Sequence, residues 1–420
     1  MYRGVAMQAL FKDDDFDFLA KIALGATYHR AADVGEVLST VERIRDGHAR
    51  SWVAEWTATA DRLAAEADAN ATAGHAGTAA RQYLRVSMYY SLADGAADGA
   101  DGEADETPDG SLFAELWGRH RAAWDHFVDL TGQAAERIEI PYEDTTLPGY
   151  FFRSALPAGP ADERRRTLIF NNGSDGPVTA AWVQGIADAL ARGWHAVTFD
   201  GPGQNAALVR QGIPFRPDWE HVITPVVDHL LTRPDVDPAK IALLGVSQGG
   251  YWVPRSVAFE HRIAAIVADP GVVEVSAAMF RHLPNHMIKL IEAGDRRRFD
   301  KEMALALKFA PAMRATLASR MRPYGTTSPY EFFTKAREYV LTDDVIARIA
   351  CPVLVTDPDD EHFWPGQSRE LYDRLAHAKT PVRTLIRFTA REGADTHCEP
   401  AGNALRGERI FDWLDERIPA

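Results

Sequence analysis

Three kinds of side chain, set in one order along the chain, could carry chemistry. Ser247 lies in Gly245-Val246-Ser247-Gln248-Gly249, a G-x-S-x-G match. The apolar run Ile241 to Leu244 precedes it and can form a buried strand, and Tyr251 to Glu260 can continue as a helix. Strand, sharp turn and helix make a nucleophile elbow, which strains the serine and lifts its hydroxyl above a sheet. The helix N-terminus then aims N–H groups at whatever the serine attacks. A serine hydroxyl is a poor nucleophile: it needs a base, and the base needs an orienting carboxylate. On such an elbow the chain order is serine, acid, histidine. Past Pro352–Val355, a short strand candidate, come Asp357, Asp359, Asp360 and Glu361. Past the strand candidate ending at Phe388 comes His397, in a loop before the last helical stretch. His362 is a rival base, but it sits where the acid belongs.

The elements that must hold these residues can be read from periodicity. Residues 1–135 read as helices and form an N-terminal helical, lid-like domain. Phe16, Leu19, Ile22 and Ala23 recur at helical spacing, as do Trp52, Trp56, Ala60 and Leu63, and Tyr83, Val86 and Tyr90. Asp94 to Gly110 is acidic and rich in Gly and Ala, and reads as a disordered, dispensable loop. Leu112 to Leu130 is a further helix with a core-facing aromatic stripe. From Arg137 the period changes to alternation, and two such runs flank Asp144-Thr145 as a β-hairpin. Strands at Thr167–Phe170, Ala196–Phe199, Ile241–Leu244, Ile263–Ala268, Pro352–Val355 and Val382–Phe388 then alternate with helices. That alternation predicts a parallel sheet covered on both faces, an α/β catalytic domain over 136–420. Residues 272–342 interrupt it and read as an inserted helical cap. Within it Met279, Phe280, Leu283, Met287 and Ile291 are spaced as one apolar helix face, expected to pack on the N-terminal helices or line a pocket.

Composition narrows the functions. The chain has 420 residues, enough for a large domain and an accessory one. A net charge of −14 argues against nucleic acid or an anionic membrane as partner. No apolar run reaches the length of about 18 residues that a membrane-spanning helix needs. Met1 to Lys12 lacks the marks of a signal peptide, and Cys351 and Cys398 lack metal spacing. A cytoplasmic protein with reduced thiols is expected, with a small molecule as partner and a homodimer left open. Asp200-Gly-Pro-Gly-Gln204 lacks both the G-x-G-x-x-G spacing and the P-loop lysine, so no nucleotide site is expected.

The sequence resembles the α/β-hydrolase superfamily, and within it the branch of dihydroxypseudooxynicotine hydrolase and the fungal polyketide-shortening hydrolases. The similarity rests on Phe199-Asp-Gly-Pro-Gly-Gln204, the elbow Gly245–Gly250, Cys351-Pro352 and Asp395-Thr-His397-Cys398, and spans roughly 137–418. It implies the α/β-hydrolase fold, serine catalysis without metal or cofactor, and hydrolysis of an ester or of a carbon–carbon bond beside a ketone. Aligned without gaps from Cys351-Pro352, the family's acid falls on Glu361, although the family residue is aspartate; a shift of one residue selects Asp360. Glu361 is preferred, since Glu also serves as a triad acid. The family's extra acidic residue falls near Ser174 or Asp175, which makes Asp175 a candidate substrate-binding group, or else a turn or cap residue.

The expected mechanism is that His397 takes the proton of Ser247 while Glu361 fixes the imidazole tautomer. The oxyanion would rest on the Gln248 N–H and one N–H of the Gly173–Ser174 segment. Tyr251, Trp364, Met279 and Phe280 are candidate pocket walls, with plain core packing the competing role. The alternatives are an acyltransferase or peptidase on the same triad, or a non-catalytic binding protein on this fold.

Overall fold

The structure, a computed structural model, describes residues 9–102, 110–132, 134–156 and 164–420. It opens on helices α1 (Asp14–Gly25), α2 (Val34–Arg43), α3 (Ala49–Thr72), α4 (Ala76–Asp94), α5 (Ala97–Gly102) and α6 (Ser111–Leu130). Asp13 and Asp33 cap α1 and α2, their side chains accepting from N–H groups of the first turn. Strands β1 (Ala134–Tyr142) and β2 (Thr145–Arg153) form the expected hairpin. β3 (Arg165–Asn171), β4 (His195–Phe199), β5 (Val236–Val246), β6 (Ala265–Asp269), β7 (Val353–Pro358) and β8 (Arg383–Phe388) complete an eight-stranded sheet in the order β1-β2-β4-β3-β5-β6-β7-β8. β3 to β8 run parallel; only β1 and β2 run against their neighbours.

Both faces of the sheet are covered, which is why its central strands read as unbroken apolar runs. Leu168, Phe170, Ala242 and Leu244 point into one core, built with α1 to α4, α6 and the last helix. Ile169, Leu243 and Ile266, one register step away, point into the other, with the helices that follow β4, β5 and β6. Crossovers α7 (Val178–Ala181), a π-helical turn at Trp182–Ile186, and α8 (Ala187–Ala191) link β3 to β4. α9 (Asn205–Val209) and α10 (Glu220–Leu231) follow β4, and α11 (Gly249–Val257) follows β5. Between β6 and β7 lie α12 (Ala277–Phe280), α13 (Asn285–Glu292), α14 (Arg296–Leu307), α15 (Pro311–Met321), α16 (Pro329–Ala336) and α17 (Asp343–Ile346). α18 (Gln367–Arg374) and α19 (Asn403–Arg417) close the chain.

Two expectations are corrected. The stretch from Asp94 is ordered as far as Gly102: α5 buries Ala97, Asp98, Ala100 and Gly102, and Asp98 pairs with Arg322. Its small residues let it lie close to α15, where a Cβ on Gly102 would sit 3.5 Å from Ala315 Cβ. Residues 103–109 lie outside the described residues. The apolar face from Met279 to Ile291 is not one helix: Pro284 stands between α12 and α13, because proline restricts the residue before it and lacks a donor for a continuing helix. Met287 and Ile291 are buried in the second core, and Phe280 packs against the same core, edge-on to Phe333 at 5.4 Å.

A buried ion pair ties the N-terminal helices to the sheet. Arg121 on α6 reaches Asp200, at the end of β4, at 2.7 Å, with both side chains about 95% buried (4% and 5% exposed). Arg121 also donates to Tyr150 on β2 at 2.7 Å. Arg121→Met would leave the Asp200 carboxylate buried without its counter-charge. A loss of about 3–5 kcal/mol is expected, read from urea unfolding. An unchanged midpoint would show that the pair does not join these layers.

Candidate active site

The elbow forms as its residue types dictate. β5 ends at Val246 and α11 starts at Gly249, so Ser247 turns at a φ of +56°, a left-handed conformation costly for a residue with a Cβ. The turn closes because Gly245 lacks a side chain: a Cβ there would stand 2.4 Å from Gly249 O and 2.5 Å from Val253 Cγ2. Ser247 N–H donates to Asp269 O at the end of β6 at 2.7 Å, which anchors the elbow to the neighbouring strand.

Ser247, His397 and Glu361 lie in one hydrogen-bonded line. His397 Nε2 is 2.9 Å from Ser247 Oγ, and Nδ1 is 2.7 Å from Glu361 Oε2. A carboxylate can only accept, so the ring proton belongs on Nδ1 and Nε2 is left to accept from the serine hydroxyl. Glu361 Oε1 accepts from the Phe363 N–H at 2.8 Å and the Trp364 N–H at 3.0 Å. Burial pushes the Glu361 carboxyl up, but His397 and these two N–H groups more than offset it, so its pKa lies below the ordinary value. Asp360 is exposed and offers His397 nothing; its N–H donates to Asp395 O at 2.8 Å. Asp357 and Asp359 pair with Arg369 and Arg387. His362 is exposed, its ring centre 6.1 Å from that of His397.

The depressed Glu361 value has a pH signature. Its carboxylate contributes stability that is fully present above the unfolded value of about 4.5 and is lost as pH falls through the lower folded value. Unfolding free energy measured against pH should therefore fall more steeply on the acid side for the wild type than for Glu361→Gln. Parallel curves would show that Glu361 is not held ionised by its neighbours.

Beside Ser247 the segment after β3 runs close, because Gly173 has no side chain to meet it; a Cβ there would stand 2.7 Å from Ser247 Cβ. The Gly173 N–H is taken by Asn172 Oδ1 at 2.9 Å. The N–H groups of Gln248 and Ser174 have no acceptor among the described residues outside helix and strand ladders. Two amide side chains brace this segment. Asn172 Nδ2 donates to Gly176 O at 2.7 Å, and Gln204 Nε2 donates to the carbonyls of Asn172 and Gly173 at 2.8 and 2.7 Å. Gln204 closes the motif Asp200-Gly-Pro-Gly-Gln204; reading that motif for nucleotide spacing alone missed this role.

A cavity of about 130 Å³ opens onto Ser247, His397 and Gly173. Its apolar walls are Phe18 and Ile22 of α1, Met88 of α4, Pro177, Ala180 and Val183. None of its lining residues comes from 272–342, or is Tyr251 or Trp364. Tyr251 is fully buried in the second core, where its hydroxyl donates to Pro217 O at 3.0 Å. Trp364 donates its ring N–H to Val275 O at 3.0 Å and packs near His397, with ring centres 5.7 Å apart. Both take the competing role, core packing: each lies three or four residues past a site residue, with its ring turned into the second core. Asp175 lines the cavity and is exposed, paired with Arg320 of α15 at 2.9 Å. Among the described residues, no three His, Cys, Asp or Glu side chains are grouped to hold a metal, and no helix is long and apolar enough to cross a membrane.

Residues 172–400, from the segment after β3 through the histidine loop, match the Alpha/beta hydrolase family. The chain belongs to that family. This α/β hydrolase is 27% identical to Hydrolase LUC6 of Fusarium sp, over 98% of each chain. It is 25% identical to the 20-hydroxy-prefusarin hydrolase FUS2 of Gibberella moniliformis, over 97% of this chain and 98% of that one. Among solved structures it resembles the 2,6-dihydroxy-pseudo-oxynicotine hydrolase, with a TM-score of 0.70 at 20% identity over 94% and 95% of the two chains. This α/β hydrolase is thus related to hydrolases that act on metabolites, and it shares their fold along nearly its whole length.

Proposed function

We propose that this α/β hydrolase is a serine hydrolase that cleaves an ester, or a carbon–carbon bond beside a ketone, in a small metabolite through an acyl-enzyme. The observation that carries the reading is the unbroken contact from Ser247 Oγ through His397 to Glu361, at 2.9 and 2.7 Å, at the mouth of an apolar cavity. His397 takes the serine proton as Oγ attacks the carbonyl carbon. Glu361 stabilises the imidazolium and holds its tautomer. The oxyanion rests on the N–H groups of Gln248 and Ser174. His397 then gives its proton to the leaving alkoxide or enolate carbon, and water repeats the attack to release a carboxylic acid. The strained φ at Ser247 favours this reading over a mere binding protein, since such strain is kept where it serves a mechanism. Incubating the enzyme with a panel of β-diketones and aryl esters tests it. Release of the expected acids by wild type and not by Ser247→Ala is the predicted result; no turnover of either class would remove the reading.

The cavity also sets an expectation of size. A dry cavity of about 150 Å³ accommodates one benzene ring, so about 130 Å³ suits a single ring or a short branched chain next to the attacked carbonyl. Aryl esters of benzoate should exceed those of naphthoate by at least about tenfold in kcat/KM, the scale on which apolar pockets discriminate. Met88→Ala should narrow that ratio while leaving fluorophosphonate labelling of Ser247 within about twofold. An unchanged ratio would place the specificity wall elsewhere.

A further inference from the structure

Directly behind Ser247 and His397 lies a set of fully buried titratable groups that the reaction does not use. Asp269, at the end of β6, is 0% exposed; Arg406 on α19 is 1% and Glu399 is 0% exposed. Asp269 touches the three segments that carry Ser247, Glu361 and His397. Its carbonyl accepts from the Ser247 N–H at 2.7 Å and from Cys398 Sγ at 3.4 Å, so one oxygen binds both the elbow and the residue after His397. Its Oδ1 accepts from Thr356 Oγ1 at 2.6 Å, on the strand that leads to Glu361. Its Oδ2 accepts from Arg406 Nε at 2.7 Å and from Arg406 Nη2. Arg406 Nη1 in turn donates to the carbonyl of Gln184, a cavity-lining residue, at 2.6 Å.

We propose that Asp269 is the positioning residue of this site: paired with Arg406, it holds the serine elbow, the acid strand and the histidine loop in one register, with Glu399 as its proton-bearing partner. The role assigned to Glu399 follows from charge and contact. One guanidinium cannot neutralise two carboxylates sealed from water. Asp269 holds the Arg406 hydrogen bonds, while Glu399 stands 3.5 Å from Arg406 Nε and neither of its oxygens has a donor. Among the groups facing it are Asp269, Arg406, Cys398 and Glu361; burial and the Asp269 charge push its carboxyl well above the ordinary range. A neutral Glu399 can donate its proton to Asp269, which satisfies the pair and leaves the cluster uncharged overall. Its backbone fits the role, since Cys398 and Glu399 both hold positive φ, at 58° and 48°, and so turn the chain back behind His397.

The proposal rests on Ser247 being the nucleophile, and the test separates the two. Fluorophosphonate labelling rate and steady-state kinetics are measured on folded wild type, Asp269→Asn, Glu399→Ala and Glu399→Gln. Asp269→Asn and Glu399→Ala should lose roughly ten- to a hundredfold in labelling rate and kcat, because small misplacements of reacting groups cost that much. Their KM should stay within about threefold. Glu399→Gln, whose amide can donate as the neutral acid does, should recover to within about threefold of wild type. A purely structural role would lower the melting temperature and leave labelling per folded molecule unchanged. Wild-type labelling rates in folded Asp269→Asn, or Glu399→Gln as slow as Glu399→Ala, would overturn the proposal. If Asp269→Asn does not fold, Thr356→Val, which removes a single donor to Oδ1, is read in the same way: slower labelling supports the proposal and an unchanged rate overturns it. Wild type that is not labelled at all would contradict the serine mechanism instead.

Discussion

Ser247→Ala is expected to lower kcat/KM by at least about a thousandfold, since removing one member of a catalytic triad typically costs that much or more. The fold should survive. Ser247 makes its anchoring contact through its backbone N–H, which alanine keeps, and its hydroxyl hydrogen-bonds to His397. Alanine also removes no buried volume that a neighbour must fill. Far-UV dichroism and the melting temperature should match the wild type, with turnover of every accepted substrate lost together. Loss confined to one substrate class would mean that the serine positions that substrate and does not attack it.

Glu361→Gln is the second large effect. Glutamine keeps the shape, and its amide oxygen can still accept from Phe363 and Trp364, now at 2.8 and 3.0 Å from Oε1. Its NH₂ group then faces His397 Nδ1, so the imidazole is driven toward the other tautomer, with its proton on Nε2 pointed at Ser247. Such a tautomer cannot take the serine proton. A fall of roughly a thousand- to ten-thousandfold in kcat is expected, with KM little changed. Asp360→Asn is the control and should stay within about twofold, because Asp360 is exposed and its contact is made by the backbone. If Asp360→Asn is the slow variant, the acid has been assigned to the wrong residue.

Much of the architecture could be read from the sequence because a two-sided parallel sheet leaves a strong mark. Apolar runs such as Thr167–Phe170 and Ile241–Leu244 alternate with helices, and each becomes a strand buried on both faces. The elbow and the strand ends point to Ser247, His397 and a group of acids past β7; the family resemblance selects Glu361 among them, and the structure sets His397 in hydrogen-bond contact with both Ser247 and Glu361. Other features depend on distant contacts. The cavity walls Phe18, Ile22 and Met88 lie more than 150 residues before the serine, and nothing in their local pattern separates a wall from a core position. Tyr251 and Trp364 show the converse: nearness along the chain to Ser247 and Glu361 does not say which face a ring takes, and both pack in the core. α5 leaves no such mark because a run of Ala, Gly and Asp cannot build a core alone, although Ala97 packs into the core of the N-terminal helices and Gly102 lies against α15. The contacts of Gln204 with the carbonyls of Asn172 and Gly173, and of Asp269 with Ser247, Thr356 and Arg406, join segments distant along the chain, which local spacing does not show.

The most direct measurement is the mass of the intact protein after treatment with a small fluorophosphonate, followed by peptide mapping. A serine primed by His397 and Glu361 should take up one phosphonyl group, carried by the peptide containing Ser247, and Ser247→Ala should take up none. Folded wild-type protein that stays unmodified, or that carries the adduct on another residue while Ser247 remains free, would contradict the account.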